Sequence, residues 1–360
     1  MYVPFLKAKQ NELLALRTCS NDTYASLIPF FDIPRPKDLT ESEVVSSIAK
    51  AKSYIEKLVS AREGVFYLDC FDIPPEITIN GNHVYEHTLD EFDDFDFVPV
   101  IGTDREVDHI NAVLSRSADF TVVAIRLLAD EIQTPTMAVS EIKALMKKFG
   151  PDMSFDLAFD LRLVRDLPTN TAKNIVKIVE TFASDEKIEN FIITGSIIPP
   201  VITEICRPEE SHTHIKSEVR LFQQASASMS DEALERLWYG DYTSVSPDYS
   251  DSDIPPQLMR TVQAPKIIYS HEDKLYITRG GSLQLKGDDQ YFDLARLVVT
   301  SGLWRKKSFS DADKYIYDVS ERIPPKCGNA SKWINITVCA HLEFYAHFDI
   351  AEKGSRLKRA

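Results

Sequence analysis

Short apolar runs rich in Val, Ile and Phe, each followed by a longer stretch of helical periodicity, recur through the first two thirds of the chain. This alternation constrains the fold more than any other feature, because strand, helix and strand in succession imply parallel strands joined by right-handed crossovers. The candidate strands are residues 2–5, 26–32, 65–69, 97–101, 121–126, 154–159 and 190–194, with an eighth at 237–242 after a longer insertion. Parallel strands of this kind close into a barrel or remain an open doubly wound sheet. Eight of them favour closure, so the expected fold class is α/β, a (β/α)8 TIM-like barrel.

Between the strands, residues 41–61 place Val44, Val45, Ile48, Ala49, Ala51, Ile55 and Leu58 near three-to-four spacing, with Thr40 as the expected N-cap. Residues 104–116 do the same with Val107, Ile110, Val113 and Leu114 behind Thr103. The first strand runs into Lys7-Ala-Lys9-Gln-Asn-Glu12 instead of a glycine-rich fingerprint, so dinucleotide binding of the usual kind is not expected. Walker-type phosphate loops and G-x-S-x-G elbows are absent as well.

Residues 1–242 are expected to form the barrel, and 243–265, rich in Ser, Asp and Pro, a surface excursion or linker. Residues 266–360 then read as a C-terminal appendage packing on it. In the appendage, 266–269 and 274–279 flank the turn-prone Ser270-His-Glu-Asp273 as a hairpin, and 291–304, 311–320 and 331–351 look helical.

A chain of 360 residues with 44% hydrophobic and 27% charged residues has the make-up of a soluble globular protein with a large core. Its five cysteines are widely spaced and form no C-x-x-C pair, which points to the reducing cytoplasm. No apolar run is long enough to span a bilayer, and no signal segment opens the chain. A formal net charge of −14 opposes long-range attraction to a phosphate backbone, so nucleic acid is not the favoured partner. The expected partners are a protein or a small anionic ligand. The basic residues 354–360 read as a frayed, solvated end.

In a barrel the functional end is where strands finish, and here those positions hold Lys7, Lys9, Asp32, Asp69, Arg126, Asp160 and Asp241. Such a set forms either an ion-pair network closing the mouth or a ligand site. As a catalytic set, Asp69, Asp160 and Asp241 would hold a divalent metal or divide acid and base roles, while Lys9 and Arg126 stabilise developing charge. Lys9 and Glu12 share a helix face and either pair with each other or present Lys9 to an anion with Glu12 orienting it. Tyr242 follows Gly240, which permits close approach of a backbone or ligand. Arg279-Gly280 reads as a hairpin exit or a weak phosphate nest. His212-Thr-His214 reads as an exposed loop, His83 and His87 as neighbours on one helix face, and His341 as a structural group in the last helix. The acidic run 90–96 reads as a solvated connection with Phe92 and Phe95 tucked inward.

The opening Tyr2-Val-Pro-Phe-Leu-Lys-Ala-Lys9-Gln-Asn-Glu12, then Leu27-Ile-Pro-Phe-Phe-Asp-Ile-Pro34, Tyr239-Gly-Asp-Tyr242, Tyr276-Ile-Thr-Arg279-Gly280 and Phe309-Ser-Asp-Ala-Asp313 resemble landmarks of the phage and bacterial beta protein family. Phe97-Val-Pro-Val100 and Gly328-Asn-Ala-Ser-Lys-Trp333 with His341 extend the resemblance over nearly the whole chain. Two positions depart from it. Lys216 stands where an Arg is expected two residues before the acidic Glu218, a candidate ligand-binding position, and Ala340-His341 replaces paired histidines. Lys cannot reproduce bidentate guanidinium contacts. The resemblance implies a phage-related or anti-phage role without a transferable reaction. Three expectations follow: a barrel that binds a phosphate-bearing or protein ligand, a metal-dependent phosphoester hydrolase, or a non-catalytic acidic scaffold.

Overall fold

The protein, described as a computed structural model for residues 1–165, 169–250, 263–348 and 350, forms a closed barrel of eight parallel strands. These are β1 (Tyr2–Lys7), β2 (Phe30–Asp32), β3 (Phe66–Asp69), β4 (Phe97–Gly102), β5 (Val122–Leu128), β6 (Ser154–Leu163), β7 (Ile188–Ser196) and β8 (Leu237–Asp241). Each strand pairs with its sequence neighbours, and β1 closes the ring against β8 with Tyr2 opposite Tyr239 and Pro4 opposite Asp241. Alternation of side chains sorts the strand residues into two cores. Val3, Phe5, Phe30, Tyr67, Val100, Ala124, Ala158 and Ile192 fill the lumen. Their neighbours, among them Leu6, Phe31, Leu68, Ile101, Val123, Ile125 and Leu157, form the larger core beneath the helices. Gly240, between outward-facing Tyr239 and inward-facing Tyr242 two residues on, takes an inward position, and a Cβ there would lie 2.8 Å from the Val3 carbonyl oxygen. The close approach allowed at this glycine is therefore to β1 backbone.

The helix Glu41–Val59 starts where expected, with Thr40 Oγ1 accepting from the Glu43 amide. The next predicted helix begins later than its pattern suggested, at Val107, with Glu106 as N-cap. Asp104 and Arg105 are drawn out of it, because Arg105 turns back to pair with Asp69. The acidic run is solvated and latched by Arg116 to Asp90 and Asp93, with Phe92 buried.

In the appendage, Lys266–His271 and Lys274–Arg279 form the expected hairpin. A third strand, Ser211–Ile215, adds to its edge and carries His212 and His214, which are thus on a strand and not in a loop. Each has its own partner, His212 with Glu210 and His214 with the Ile205 carbonyl. His83 is the N-cap of the helix Val84–Glu91, so it does not share a helix face with His87. The last helix, Ala330–Tyr345, packs against the first, Gln10–Thr18, and against the hairpin. Residues 244–250 do not run off as a surface excursion; they turn back across the mouth, while 251–262 and the tail 354–360 lie outside the described residues. Among the described residues no helix is long and apolar enough to cross a membrane.

Candidate functional site

At the C-terminal end of the strands, the inward positions of β2, β3, β5 and β6 carry Asp32, Asp69, Arg126 and Asp160. The Arg126 guanidinium is completely buried and sits among the three carboxylates. Nη1 donates to Asp32 Oδ1 at 2.7 Å and Asp69 Oδ2 at 2.9 Å, while Nη2 and Nε reach Asp160 Oδ2 at 2.7 and 3.0 Å. The Tyr242 hydroxyl donates to the same Asp160 oxygen at 2.6 Å. A planar five-donor fork suits this convergence as no ammonium could. Four of the expected site residues and Tyr242 therefore meet in one cluster that floors the mouth.

Electrostatics separates the three carboxylates. Burial pushes the Asp32 carboxyl up to about 6, with Asp72 and Asp69 adding to the effect and Arg126 opposing it. Burial acts on Asp69 in the same sense, yet Arg105 and Arg126 together hold it below the usual carboxylate range. Asp160 is likewise held low, against burial, by Arg126 and Arg162. Among the described residues no three His, Cys, Asp or Glu side chains converge as a metal site requires. The aspartates converge on a guanidinium.

Above this floor lies a second layer. Arg162 follows Asp160 at a bulge in β6, with φ of 47°, a left-handed conformation uncommon for a non-glycine residue, and its amide donates to Asp160 Oδ1. This backbone turn aims the Arg162 side chain into the mouth. Nη2 bonds the Pro247 carbonyl oxygen at 2.7 Å, and Lys7 Nζ reaches that oxygen at 2.5 Å. Phe71 packs against three guanidinium groups, those of Arg126, Arg162 and Arg105, whose carbons stand 4.3, 4.5 and 4.6 Å from its ring centre. The Tyr249 ring lies under Lys7, Lys9 and the Arg35 guanidinium, at 4.1, 4.9 and 4.9 Å. Several buried polar atoms here make no hydrogen bond: Asp69 Oδ1, Asp72 Oδ2, Arg105 Nε and Arg162 Nη1.

Lys9 is exposed and turns to Tyr249, and the described residues show no ion pair between it and Glu12, which is buried with its carboxyl pushed up by burial. Asp72, Arg105, Arg162 and Tyr249 were not among the residues singled out from sequence. The signal that could have found Arg162 is the D-x-R spacing on β6, where the expected strand ended at 159.

Asp241 is not at the mouth. As the residue before inward-facing Tyr242 it points through the barrel wall, where Lys216 Nζ lies 2.7 Å away and His341 Nε2 2.9 Å away, and Tyr2 and Tyr239 donate to it. Its carboxyl is held far below the usual range by His341 and Lys216 despite burial. Glu218 belongs to this outer cluster, 3.4 Å from Lys216, with burial pushing it up to about 7. Ser270 Oγ lies 2.9 Å from His341 Nδ1, so Ser270, His341 and Asp241 run in the order of a hydrolase triad. Ser270 is only 3% exposed and His341 1%, both beneath or within the last helix. The run is a polar pin between barrel and appendage.

Arg279 is elsewhere again, donating to Thr203 Oγ1 and the Cys206 carbonyl and lining a cavity of about 410 Å³ with Tyr291 and Trp333. The Gly280 amide donates to the Pro265 carbonyl and the Gly281 amide to Gln290 Oε1, so this hairpin exit is no phosphate nest.

These features define a (β/α)8 barrel whose mouth is floored by an arginine among three aspartates and rimmed by further cations. The chain belongs to the Beta protein family, whose model matches residues 2–347. Neither a curated protein nor a solved structure matches it.

Proposed function

We propose that the protein binds a phosphate-bearing ligand at the C-terminal mouth of its barrel. The observation that carries this reading is the convergence of Lys7 Nζ and Arg162 Nη2 on one oxygen, with Arg162 Nη1 buried beside it and unpartnered. Two cations aimed at a single acceptor, one of them with a donor to spare, suit an anion offering several oxygens. Lys9 and Arg35 lie close by, the aspartates beneath are paired with Arg126 and Arg105, and Asp72 lies 3.8 Å from Lys7 and 3.4 Å from Arg162. Among the described residues the aspartates converge on guanidinium groups, which favours anion binding over a metal-dependent hydrolase. The site lies where barrels of this class place their ligands.

The phage-related role and cytoplasmic setting are part of the proposal and rest on family membership and cysteine usage. Plaque counts on a host with and without the intact gene test the first. The binding proposal is tested by thermal melting with inorganic pyrophosphate: the wild-type melting temperature rises with concentration, and Lys7→Met removes the rise. An unchanged melting temperature at saturating pyrophosphate counts against binding.

A further inference from the structure

The residues that cross the mouth are held by the groups just assigned to the ligand. Ser246 offers its carbonyl oxygen to Lys7 at 3.4 Å, Pro247 offers its own to Lys7 and Arg162, and Asp248 Oδ1 accepts from Arg162 Nε at 3.0 Å and Nη2 at 2.8 Å. Tyr249 then lays its ring among three cations, and its hydroxyl accepts from the Arg35 amide at 3.0 Å. Oxygen acceptors on Lys7 and Arg162, an anionic carboxylate and an adjoining planar ring in a cationic cage follow one another along four residues. We propose that residues 246–249 occupy the mouth as an internal substitute for its ligand, and that the ligand carries an anionic group beside a planar ring, the chemistry of a nucleoside monophosphate.

This inference rests on the anion-binding reading of the mouth and adds the ring. Two observations favour a replaceable occupant over a fixed plug. The Asp248 side chain keeps 37% of its surface exposed, unlike the fully buried aspartates below. The strap leaves Arg162 Nη1 buried without a hydrogen-bond acceptor, so it fills the site without satisfying it. A phosphate in place of the carbonyl and carboxylate brings three terminal oxygens to Lys7 and both Arg162 amino groups. The floor of Arg126, Asp32, Asp69 and Asp160 limits depth to that of the strap itself, which suits a small molecule. Rings of nucleobases stack on and beneath cations as tyrosine does.

The test uses the full chain, wild type and Asp248→Ala/Tyr249→Ala, titrated calorimetrically with the four ribonucleoside 5′-monophosphates and with inorganic phosphate. Self-occupancy lowers apparent affinity by the fraction of open mouth, so removing the strap side chains is expected to tighten binding of at least one nucleotide about tenfold. Phosphate is expected to bind the same variant at least about tenfold more weakly than that nucleotide. Equal nucleotide affinity in the two proteins overturns the substitute. Phosphate matching every nucleotide in the variant overturns the ring while leaving the anion reading intact, and no binding by any probe to either protein removes both. Hydrogen exchange of the wild type provides a readout independent of the variant. Amides 244–250 should lose protection at saturating nucleotide, and unchanged protection overturns displacement.

Discussion

Arg126 Nη2 lies 2.7 Å from Asp160 Oδ2, and the Tyr242 hydroxyl donates to that same oxygen at 2.6 Å. One carboxylate oxygen thus ties β5, β6 and the end of β8 together across the lumen. A buried ion pair of this kind contributes little by its existence, because desolvation offsets attraction, but losing one partner leaves uncompensated charge. Arg126→Ala is therefore expected to destabilise the protein by about 3–5 kcal/mol. Arg126→Lys should recover only part of that, since a point charge cannot serve three carboxylates. Urea unfolding of the two variants checks the order.

At the outer cluster, Glu218 provides a pH signature. Its carboxyl is raised by burial to about 7, above its value in the unfolded chain, so the native state takes up the proton first. The associated stability is fully present below the unfolded pKa of about 4.3 and is lost as pH rises through 7. Glu218→Gln should remove this fall, making the variant more stable than wild type at pH 8 by up to about 3 kcal/mol. Denaturation midpoints from pH 4 to 8 show it; parallel curves for the two proteins would rule it out.

Asp241 is expected to act as a structural pin. Asp241→Asn removes the nearer of the two carboxylates on buried Lys216, leaving Glu218 at 3.4 Å, and weakens the link to His341, at an expected cost of about 3 kcal/mol. If Asp241 were instead part of a ligand site at the mouth, the substitution would change anion affinity. The expected result is lowered stability with unchanged pyrophosphate binding.

Gly240 permits β8 to lie against β1. A Cβ there would meet the Val3 carbonyl oxygen at 2.8 Å, so Gly240→Ala is expected to cost about 1–3 kcal/mol by overpacking, measured by thermal melting.

The eight strands were legible because fully buried parallel strands leave apolar runs that periodicity detects, and closure followed from their number. Asp32, Asp69, Arg126 and Asp160 were legible as neighbours because inward side chains at the strand ends of a barrel converge on its mouth; their pairing with one another is what the structure adds. Asp241 shows the limit of that rule. A strand end specifies height along the barrel, whereas side-chain alternation decides between lumen and wall, and one residue separates Asp241 from Tyr242. The strand Ser211–Ile215 was missed because its exposed polar residues carry no apolar alternation and its pairing partner lies some sixty residues on. Asp248 and Tyr249 were hidden by composition. A Ser, Asp and Pro-rich segment reads as solvated loop, and only its return across the mouth brings it to Lys7 and Arg162.

Calorimetric titration of the wild-type protein and Arg162→Gln with inorganic pyrophosphate tests the central claim most directly. The account predicts saturable one-to-one binding to the wild type and an affinity lower by about tenfold or more in the variant, since a charge-assisted hydrogen bond contributes about 1.5–3 kcal/mol. No saturable binding to the wild type, or equal affinity in both proteins, would contradict it.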